Sequence, residues 1–264
     1  MDREEVIIHC GSDLSAFWHK MQDYFSKDEM ELIHVPGYAF SVRILKKHLA
    51  GLAPRMAYWI HKKISMSELQ NLLTKLALEE EEKSKFFFFA LSKLGEEENA
   101  LCSLLEEKLN LFFCENSEFF MEGFLRFAIW EYRENVIFLL DDCFDEFAAQ
   151  QEYSEFLELL HYFVETETPR FEDLTVSIHA NKEIQFYDRD GADITTLCKK
   201  RFIEEFQDNA PDTEDFIMST LILYLPQQIW IYGSQFLNNK NFFVTLRHIF
   251  GERVQIYGVP LRLS

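Results

Sequence analysis

Several residue types and motifs are scarce or missing in this chain of 264 residues. It has only nine glycines and six prolines, and so few turn residues favour long helices over an all-β fold with many turns. No Gly-x-x-x-x-Gly-Lys, Gly-x-Gly-x-x-Gly or Gly-x-Ser-x-Gly motif occurs. These absences argue against P-loop nucleotide hydrolases, dinucleotide-binding enzymes and α/β-hydrolases.

Cysteine is also scarce, and its spacing does not suggest a metal or redox site. The five residues are widely spread and include no Cys-x-x-Cys pair, which is the spacing that zinc and dithiol sites use. We therefore expect small, mostly buried thiols in a reducing compartment, which places the protein in the cytoplasm. The cysteines are Cys10, Cys102, Cys114, Cys143 and Cys198.

Basic residues are outnumbered by acidic ones. The chain has 26 Lys plus Arg against 45 Asp plus Glu, a formal net charge of −19. This field repels phosphate backbones and anionic lipid surfaces, so we expect no binding to nucleic acid. Charged partners should instead be basic proteins or cations. The plain alternative is that the acidic residues keep a phenylalanine-rich protein in solution.

No long apolar run is present. The first residues are acidic and the apolar run after them is short, so no signal peptide is predicted. Residues 216–239 contain no charged side chain, and their apolar part stops at Pro226 after ten residues. A membrane-spanning helix needs about 20 apolar residues. We therefore predict a buried helix followed by a strand, with no membrane insertion.

Aromatic residues are abundant, because 27 phenylalanines raise the aromatic fraction to 16%. The stretch from Phe119 to Val164 is the densest in both rings and carboxylates, which predicts a large aromatic core with a negative face in water. Four consecutive phenylalanines occupy positions 86–89. Since four neighbours cannot all face one core, this run is either buried on several sides or forms a contact surface.

The pattern divides the chain into a small N-terminal α/β unit (1–48), a helical region (49–168) and a C-terminal α/β domain (169–264). In the first, a strand is predicted near 6–10, then a helix capped by Ser12 or Asp13 that carries Trp18 and Met21 on its apolar stripe, and an extended region from 31 to 45.

In the helical region, Ser65 and Glu68 have the spacing of a capping box that opens a helix. Gly95 is predicted to separate two later helices, and a last helix is predicted over about 152–164. A further apolar stripe with helical spacing consists of Leu125, Ile129, Tyr132, Val136, Leu140, Phe144 and Phe147.

After Pro169 the apolar period changes to two, which indicates strands. Segments 174–178 and 184–187 read as a hairpin, and segments 229–233 and 254–258 as parallel strands joined by a helix. Helices are predicted from about 192 to 206 and from a cap at Asp212 or Thr213. The fold class is therefore α+β, predominantly helical, with a C-terminal four-stranded mixed sheet flanked by helices.

One face of this sheet is the leading candidate surface. If the aliphatic residues of its strands face one way, aromatic, hydroxyl and amide side chains face the other. Such a mixture suits recognition of a peptide or small ligand, although helices of the same chain would give the same pattern by covering it. The candidate residues are Thr175, His179, Tyr187, Trp230, Tyr232, Gln255 and Tyr257, with Ser177 and Gln185 beside them.

Other acidic and histidine patterns are weaker. Glu158 and His161 have the Glu-x-x-His spacing of di-iron helices, but the only similar pair, Glu31 and His34, lies in a predicted strand beside a proline. Asp141, Asp142, Asp145 and Glu146 read as a solvated helix face, and segment 188–191 reads as a turn. We therefore assign no metal, no cofactor and no catalytic residue.

Four features of the second half of the chain form a recognisable pattern: segments 122–127, 152–160 and 249–254, and Glu214-Asp215 before an apolar helix. In these features the sequence resembles the YtxC-like family of sporulation proteins of endospore-forming bacteria, over about residues 119–257. Ala128 stands where the family pattern has an arginine, and the last residues lack the small cysteine cluster of relatives, so no metal or redox role is implied. The resemblance implies a sporulation setting, and the family has no established biochemical activity that could be carried over to this chain.

Together these features predict a cytoplasmic, non-enzymatic protein that acts by protein–protein interaction. The acidic, aromatic middle of the chain and the mixed sheet face would be its contact surfaces. The alternative is a small-ligand-binding protein or an uncharacterised enzyme that uses the polar sheet face, with His179 as its reactive group. The oligomeric state is left open by both hypotheses.

Overall fold

The computed structural model describes residues 5–11, 18, 19, 21, 29–206, 212–237 and 239–258. The chain forms two compact units, Met1–Ala149 (unit 1) and Gln150–Ser264 (unit 2). The described residues form an α+β fold with two four-stranded mixed sheets, as the sequence predicted. The division into three segments stays a prediction.

Unit 1 contains the first sheet. Its strands are β1 (Glu5–Cys10), β2 (Met30–Ile33), β3 (Phe40–Leu45) and β4 (Glu118–Phe120), in the order β2-β3-β1-β4. The β1–β3 and β2–β3 pairs are antiparallel and β1–β4 is parallel. Trp18 and Met21 are helical and buried, as expected, whereas the predicted caps Ser12 and Asp13 lie outside the described residues.

Three helices follow β3: α1 (Leu49–Lys75), α2 (Glu80–Glu96) and α3 (Glu98–Glu115). The predicted capping box at Ser65 is wrong, because Ser65 is a buried residue inside α1. Apolar residues continue at helical spacing upstream of it, from Leu49 through Ile64, so the helix has already begun. A capping box does form where α2 begins, between Glu79 and Glu82.

A single helix of 37 residues, α4 (Trp130–Thr166), follows a short irregular helical stretch over 121–128. The separate helix predicted over 152–164 is therefore the second half of α4. Ala148, Ala149, Gln150 and Gln151 are good helix formers without a glycine or proline break, so nothing interrupts the hydrogen bonding there. The boundary between the two units falls inside this helix.

The core of unit 1 runs from Val6 to Phe147 and joins β1–β4 with α1–α3 and the first half of α4. The predicted stripe, which begins in the helical stretch before α4 and continues along it, is confirmed: five of its residues are buried and Leu125 and Phe144 are partly buried. In the phenylalanine run, Phe86 is fully buried and Phe88 is 66% exposed. The run therefore contributes to both the core and the surface.

Unit 2 contains the second sheet. Its strands are β5 (Phe171–Ile178), β6 (Ile184–Tyr187), β7 (Pro226–Tyr232) and β8 (Val254–Tyr257), in the order β6-β5-β7-β8. The β5–β6 hairpin is antiparallel, and β5–β7 and β7–β8 are parallel. The predicted four-stranded mixed sheet is confirmed.

Three helices accompany this sheet: α5 (Thr195–Phe206), α6 (Thr213–Tyr224) and α7 (Lys240–Phe250). The Asp212 carboxylate caps α6 by accepting a hydrogen bond from the Thr213 amide at 2.7 Å. Buried residues of all three helices, such as Phe202, Leu221 and Leu246, share one core with the aliphatic face of the sheet. Helices thus cover that face.

No helix among the described residues is long and apolar enough to cross a membrane.

Candidate functional site

The strand register places the predicted polar residues on one face of the unit 2 sheet. Thr175 lies between Tyr187 on β6 and Trp230 on β7, and Tyr232 lies beside Tyr257 on β8. Paired residues of neighbouring strands point to the same side of a sheet. We call this surface the platform; its residues are Thr175, Ser177, Gln185, Tyr187, Trp230, Tyr232, Gln255 and Tyr257.

Three aromatic rings of the platform form a parallel row. The Tyr232 and Tyr257 ring centroids are 5.0 Å apart, and those of Trp230 and Tyr257 are 6.2 Å apart; both interplanar angles are 15°. Trp230 and Tyr232 are partly exposed and Tyr257 is 39% exposed. Because the strands hold the rings in register, they present their π faces and edges with little freedom left to lose on binding.

Polar side chains at the β5–β6 end of the platform are tied to one another. The Gln185 carboxamide oxygen accepts a hydrogen bond from the Tyr187 hydroxyl and one from His179 Nε2, each at 2.8 Å. Burial raises the pKa of the Tyr187 hydroxyl, so this group keeps its proton and acts as a donor. His179 lies just beyond the end of β5, where its amide pairs with the Glu183 carbonyl.

A close backbone approach fixes the other end of β7. Gly233 has a positive φ of 78°, and a Cβ there would lie 2.1 Å from the carbonyl oxygen of Ile178. Only glycine fits this approach. The neighbouring Ser234 hydroxyl donates to the Tyr257 carbonyl at 3.2 Å, so the turn after β7 also holds β8 in place.

The platform is exposed at its β7–β8 end, where Gln255 and Tyr257 lie, whereas Ser177 and Tyr187 at its β5–β6 end are buried. Helices α5–α7 place their buried residues on the opposite face of the sheet. Two cavities lie in the described part of the chain: one is lined by residues of α3, and the other mainly by residues of α4, α6 and α7. Neither includes a platform residue. Small substrates are usually held in concave sites, whereas a flat aromatic surface with satisfied polar groups suits a larger partner.

The Glu-x-x-His pattern of α4 does not form a metal site. His161 Nδ1 lies 3.0 Å from the Ile249 carbonyl oxygen and its Nε2 lies 3.5 Å from Glu165. Glu158 instead pairs with His248 at 3.2 Å. In the other half of the pattern, Glu31 pairs with Arg43 across β2 and β3 at 3.1 Å.

The remaining acidic patterns are structural as well. The Asp188 carboxylate accepts hydrogen bonds from the amides of Asp190 and Ala192, which closes the predicted turn. Glu146, on the acidic face of α4, pairs with Lys93 at 3.1 Å. Within the described ranges, no group of three or more His, Cys, Asp or Glu side chains is placed to hold a metal ion.

A serine–histidine–glutamate cluster in unit 1 was not anticipated from the sequence. His9 Nδ1 lies 2.9 Å from the Ser41 hydroxyl, and His9 Nε2 lies 3.8 Å from Glu118. These are the residue types of a hydrolase triad. However, Ser41 is fully buried and no substrate reaches it, so the cluster is part of the packing of β1, β3 and β4. No spacing in the sequence signals it, because β4 is distant in the chain.

The three cysteines whose pKa is shifted are not activated nucleophiles, because each shift is upward. Burial raises the pKa of Cys198 to about 11, and burial also raises the pKa of Cys102 and Cys143. A raised pKa keeps the thiol protonated at neutral pH, and the thiolate is the reactive form. All five cysteines are free.

Comparison with known proteins gives one match. No curated protein and no solved structure matches the chain. The sequence model of the YtxC-like family matches residues 50–255, so the similarity begins well before the residue 119 expected from the sequence motifs and includes α1–α3. This match covers most of the chain and supports a sporulation-related protein. The chain belongs to the YtxC-like family.

Proposed function

We propose that this protein acts in sporulation as a non-enzymatic binding protein of the cytoplasm, and that it contacts a partner protein through the platform. The observation that carries the proposal is the row of Trp230, Tyr257 and Tyr232, whose rings are held parallel and partly exposed on the outer face of the sheet. Tryptophan and tyrosine dominate the binding energy of many protein interfaces.

The hydrogen bonding of the platform also favours binding over catalysis. His179 Nε2 and the Tyr187 hydroxyl are both engaged by Gln185, so neither is a free proton-transfer group at that atom. The free thiols fit a reducing compartment. The family itself supports the sporulation setting.

The test places a photo-crosslinking amino acid at Gln255, which is exposed on the platform, and at Lys199, which is exposed on α5. In sporulating cells we expect a discrete protein adduct from position 255 and none from position 199. The double substitution Trp230→Ala and Tyr257→Ala should remove the adduct, because the rings supply the contact. Identical adducts from both positions, or none from position 255, would contradict the proposal.

A second measurement separates binding of a protein from binding of a small ligand at the same face. Thermal unfolding with nucleotides, metal ions and metabolites should show no shift for a protein-binding module. A rise of several degrees with one compound, abolished by His179→Ala, would instead favour the small-ligand or enzyme hypothesis, because a ligand of the folded state stabilises it.

A further inference from the structure

A groove in unit 2, separate from the platform, lies between the second half of α4, the first turns of α6 and the length of α7. Helices α6 and α7 pack on the aliphatic face of the sheet, so this groove and the platform use different surfaces. Its volume is about 300 Å³. Its floor is apolar and consists of Leu157, Leu160, Met218, Phe242 and Ile249.

The rim of the groove is acidic. Among the described residues, its charged lining residues are Glu214 and Asp215, in the first turn of α6. The Asn239 amide donates to Glu214 at 2.7 Å and holds that carboxylate at the rim. Asp215 is exposed and has no ion-pair partner among the described residues. Lys240, between the lining residues Asn239 and Asn241, is exposed and is not itself a lining residue.

The helix starts at the groove do not attract an anion, because the cap of α7 uses two of its first amides and the start of α6 carries the carboxylates of Asp212, Glu214 and Asp215. Asn239 Oδ1 accepts from the amides of Asn241 and Phe242 at 3.1 and 3.3 Å, and Asp212 caps α6. Caps of this kind satisfy the donors that would otherwise bind a negative group. The rim therefore favours a positive ligand.

An aromatic wall stands beside these carboxylates. Tyr153 and Phe156 line the groove and are each 54% exposed, and the Tyr153 hydroxyl lies 3.4 Å from the Thr245 hydroxyl. A guanidinium or ammonium group gains energy over an aromatic face when a carboxylate is also near. Glu152 and Glu155 on the same helix are exposed and add to the negative field.

We propose that this groove receives a short cationic segment of a partner protein, with one large apolar side chain on the floor and an arginine or lysine against Glu214 and Asp215. The groove volume of about 300 Å³ equals the lower limit of small-molecule pockets, which run from about 300 to about 1,000 Å³, so it suits one side chain better than a cofactor. The net charge of −19 gives the same preference at long range. The inference does not depend on the platform.

The test uses two synthetic amphipathic peptides of equal length and equal leucine and phenylalanine content, one with arginines and one with glutamates at the polar positions. Methyl NMR on the full chain reports binding through Met218 and Ile249, with Ile60 in the core of unit 1 as the reference. The arginine peptide should shift the groove methyls with a dissociation constant below about 1 mM, and the glutamate peptide should not.

Matched variants identify the groups that bind. Replacing Glu214 by Gln and Asp215 by Asn together should weaken the arginine peptide about tenfold or more, while Glu204→Gln with Glu205→Gln, an exposed pair on α5, should change nothing. Likewise Phe156→Ala should weaken binding, whereas Leu159→Ala, 67% exposed on the same helix and outside the groove, should not.

Two results would overturn the inference. Equal affinity for the glutamate peptide would show that charge plays no part, and absence of groove methyl shifts up to about 1 mM peptide would show that the groove is not a binding site. Neither result touches the platform, because adduct formation at Gln255 is read separately. Loss of that adduct with peptide binding intact would in turn remove only the platform proposal.

Discussion

The two units place a histidine at the end of a sheet strand but bury it to different degrees. In unit 1, His9 near the end of β1 is buried and packs against the rings of Tyr38 and Phe120, with centroid distances of 4.3 and 4.9 Å. In unit 2, His179 after β5 is partly exposed and hydrogen-bonds to Gln185 on the outer face. Histidine is therefore a packing residue in unit 1 and a hydrogen-bonding surface residue in unit 2.

Buried polar groups follow the same division. Of the six buried polar or charged side chains among the described residues, four lie in unit 1: His9, Ser41, His61 and Ser65. His61 Nδ1 lies 2.8 Å from the Tyr132 hydroxyl and 3.3 Å from the Ser65 hydroxyl. Buried polar groups with internal partners specify packing. Ser177, at the buried end of the platform, is one of the other two. Substitutions of the unit 1 residues should therefore change stability, and those of the exposed platform rings should change binding.

The largest expected effect tests which rings of the phenylalanine run belong to the core of unit 1. Phe86 is fully buried, with its ring 5.4 Å from those of Phe144 and Phe147. Phe86→Ala should lower the free energy of unfolding by about 3–5 kcal/mol, because it leaves a cavity. Phe88→Ala, on the exposed side, should change it by less than about 0.5 kcal/mol. Urea denaturation measures both, and equal losses would contradict the assignment.

The next effect concerns the turn that positions the platform. Gly233→Ala should destabilise the protein by about 3 kcal/mol or more, because the new Cβ meets the Ile178 carbonyl and the positive φ also disfavours alanine. Gly191 has a similar φ of 77° but open space around it. Gly191→Ala should therefore cost only about 1 kcal/mol.

Thermal and urea unfolding of the two glycine variants give the comparison. If the two losses were equal, the left-handed backbone alone would explain them and the close approach would be unimportant. The stacked rings beside Gly233 provide a second measurement, since displacement of Tyr232 should change the near-ultraviolet circular dichroism of Gly233→Ala only.

A smaller effect is expected from removing one buried hydroxyl. Tyr132→Phe deletes the partner 2.8 Å from His61 and should cost about 1–3 kcal/mol, because a buried polar atom loses its hydrogen bond. Tyr162→Phe is the matched control on the same helix, with a side chain that is 68% exposed; it should be neutral within about 0.5 kcal/mol. Equal unfolding midpoints for the two variants would disprove the structural role of Tyr132.

The smallest effect is a dependence of stability on pH. Burial, followed by the charge of Lys62, lowers the pKa of His61 below its ordinary 6.5. As pH falls through about 6.5, the unfolded chain takes up a proton that folded His61 resists, so stability present above this pH is lost. The stability difference between the wild type and His61→Gln should therefore narrow between about pH 7.5 and about pH 5.5.

Urea midpoints of the two proteins at each pH measure this difference. His61→Asn provides a second variant in case the glutamine packs poorly, and both should show the same trend. A difference that stays constant with pH would mean that His61 does not contribute through its ionisation.

Much of unit 2 was predictable because side chains alternate along strands. A period of two fixes which residues share a face, and the register of β5, β7 and β8 follows the alternation of Thr175, Trp230 and Gln255. The cap at Asp212 was also readable, since a side-chain acceptor before an apolar helix has a local cause.

Other features depend on contacts that the local sequence does not contain. β4 is three residues long and forms only because β1 offers an edge more than a hundred residues away. The helical region was predicted from residue 49, where α1 begins, but Gly51 and Pro54 weaken the helical pattern there, so a separate helix start was placed at Ser65, which tertiary packing keeps inside α1. The groove combines residues of three separate helices, so no spacing along the chain could indicate it.

Arg253 has a consequence for the order in which the chain folds during synthesis. Its guanidinium donates to the Val164 carbonyl at 3.1 Å, 89 positions earlier, and β8 follows it directly. This contact cannot form until residue 253 has left the ribosome, so the last turn of α4 lacks it until then. All of unit 1 has emerged by that time. In nascent chains stalled before β8, we expect unit 1 to resist protease while unit 2 is still cleaved.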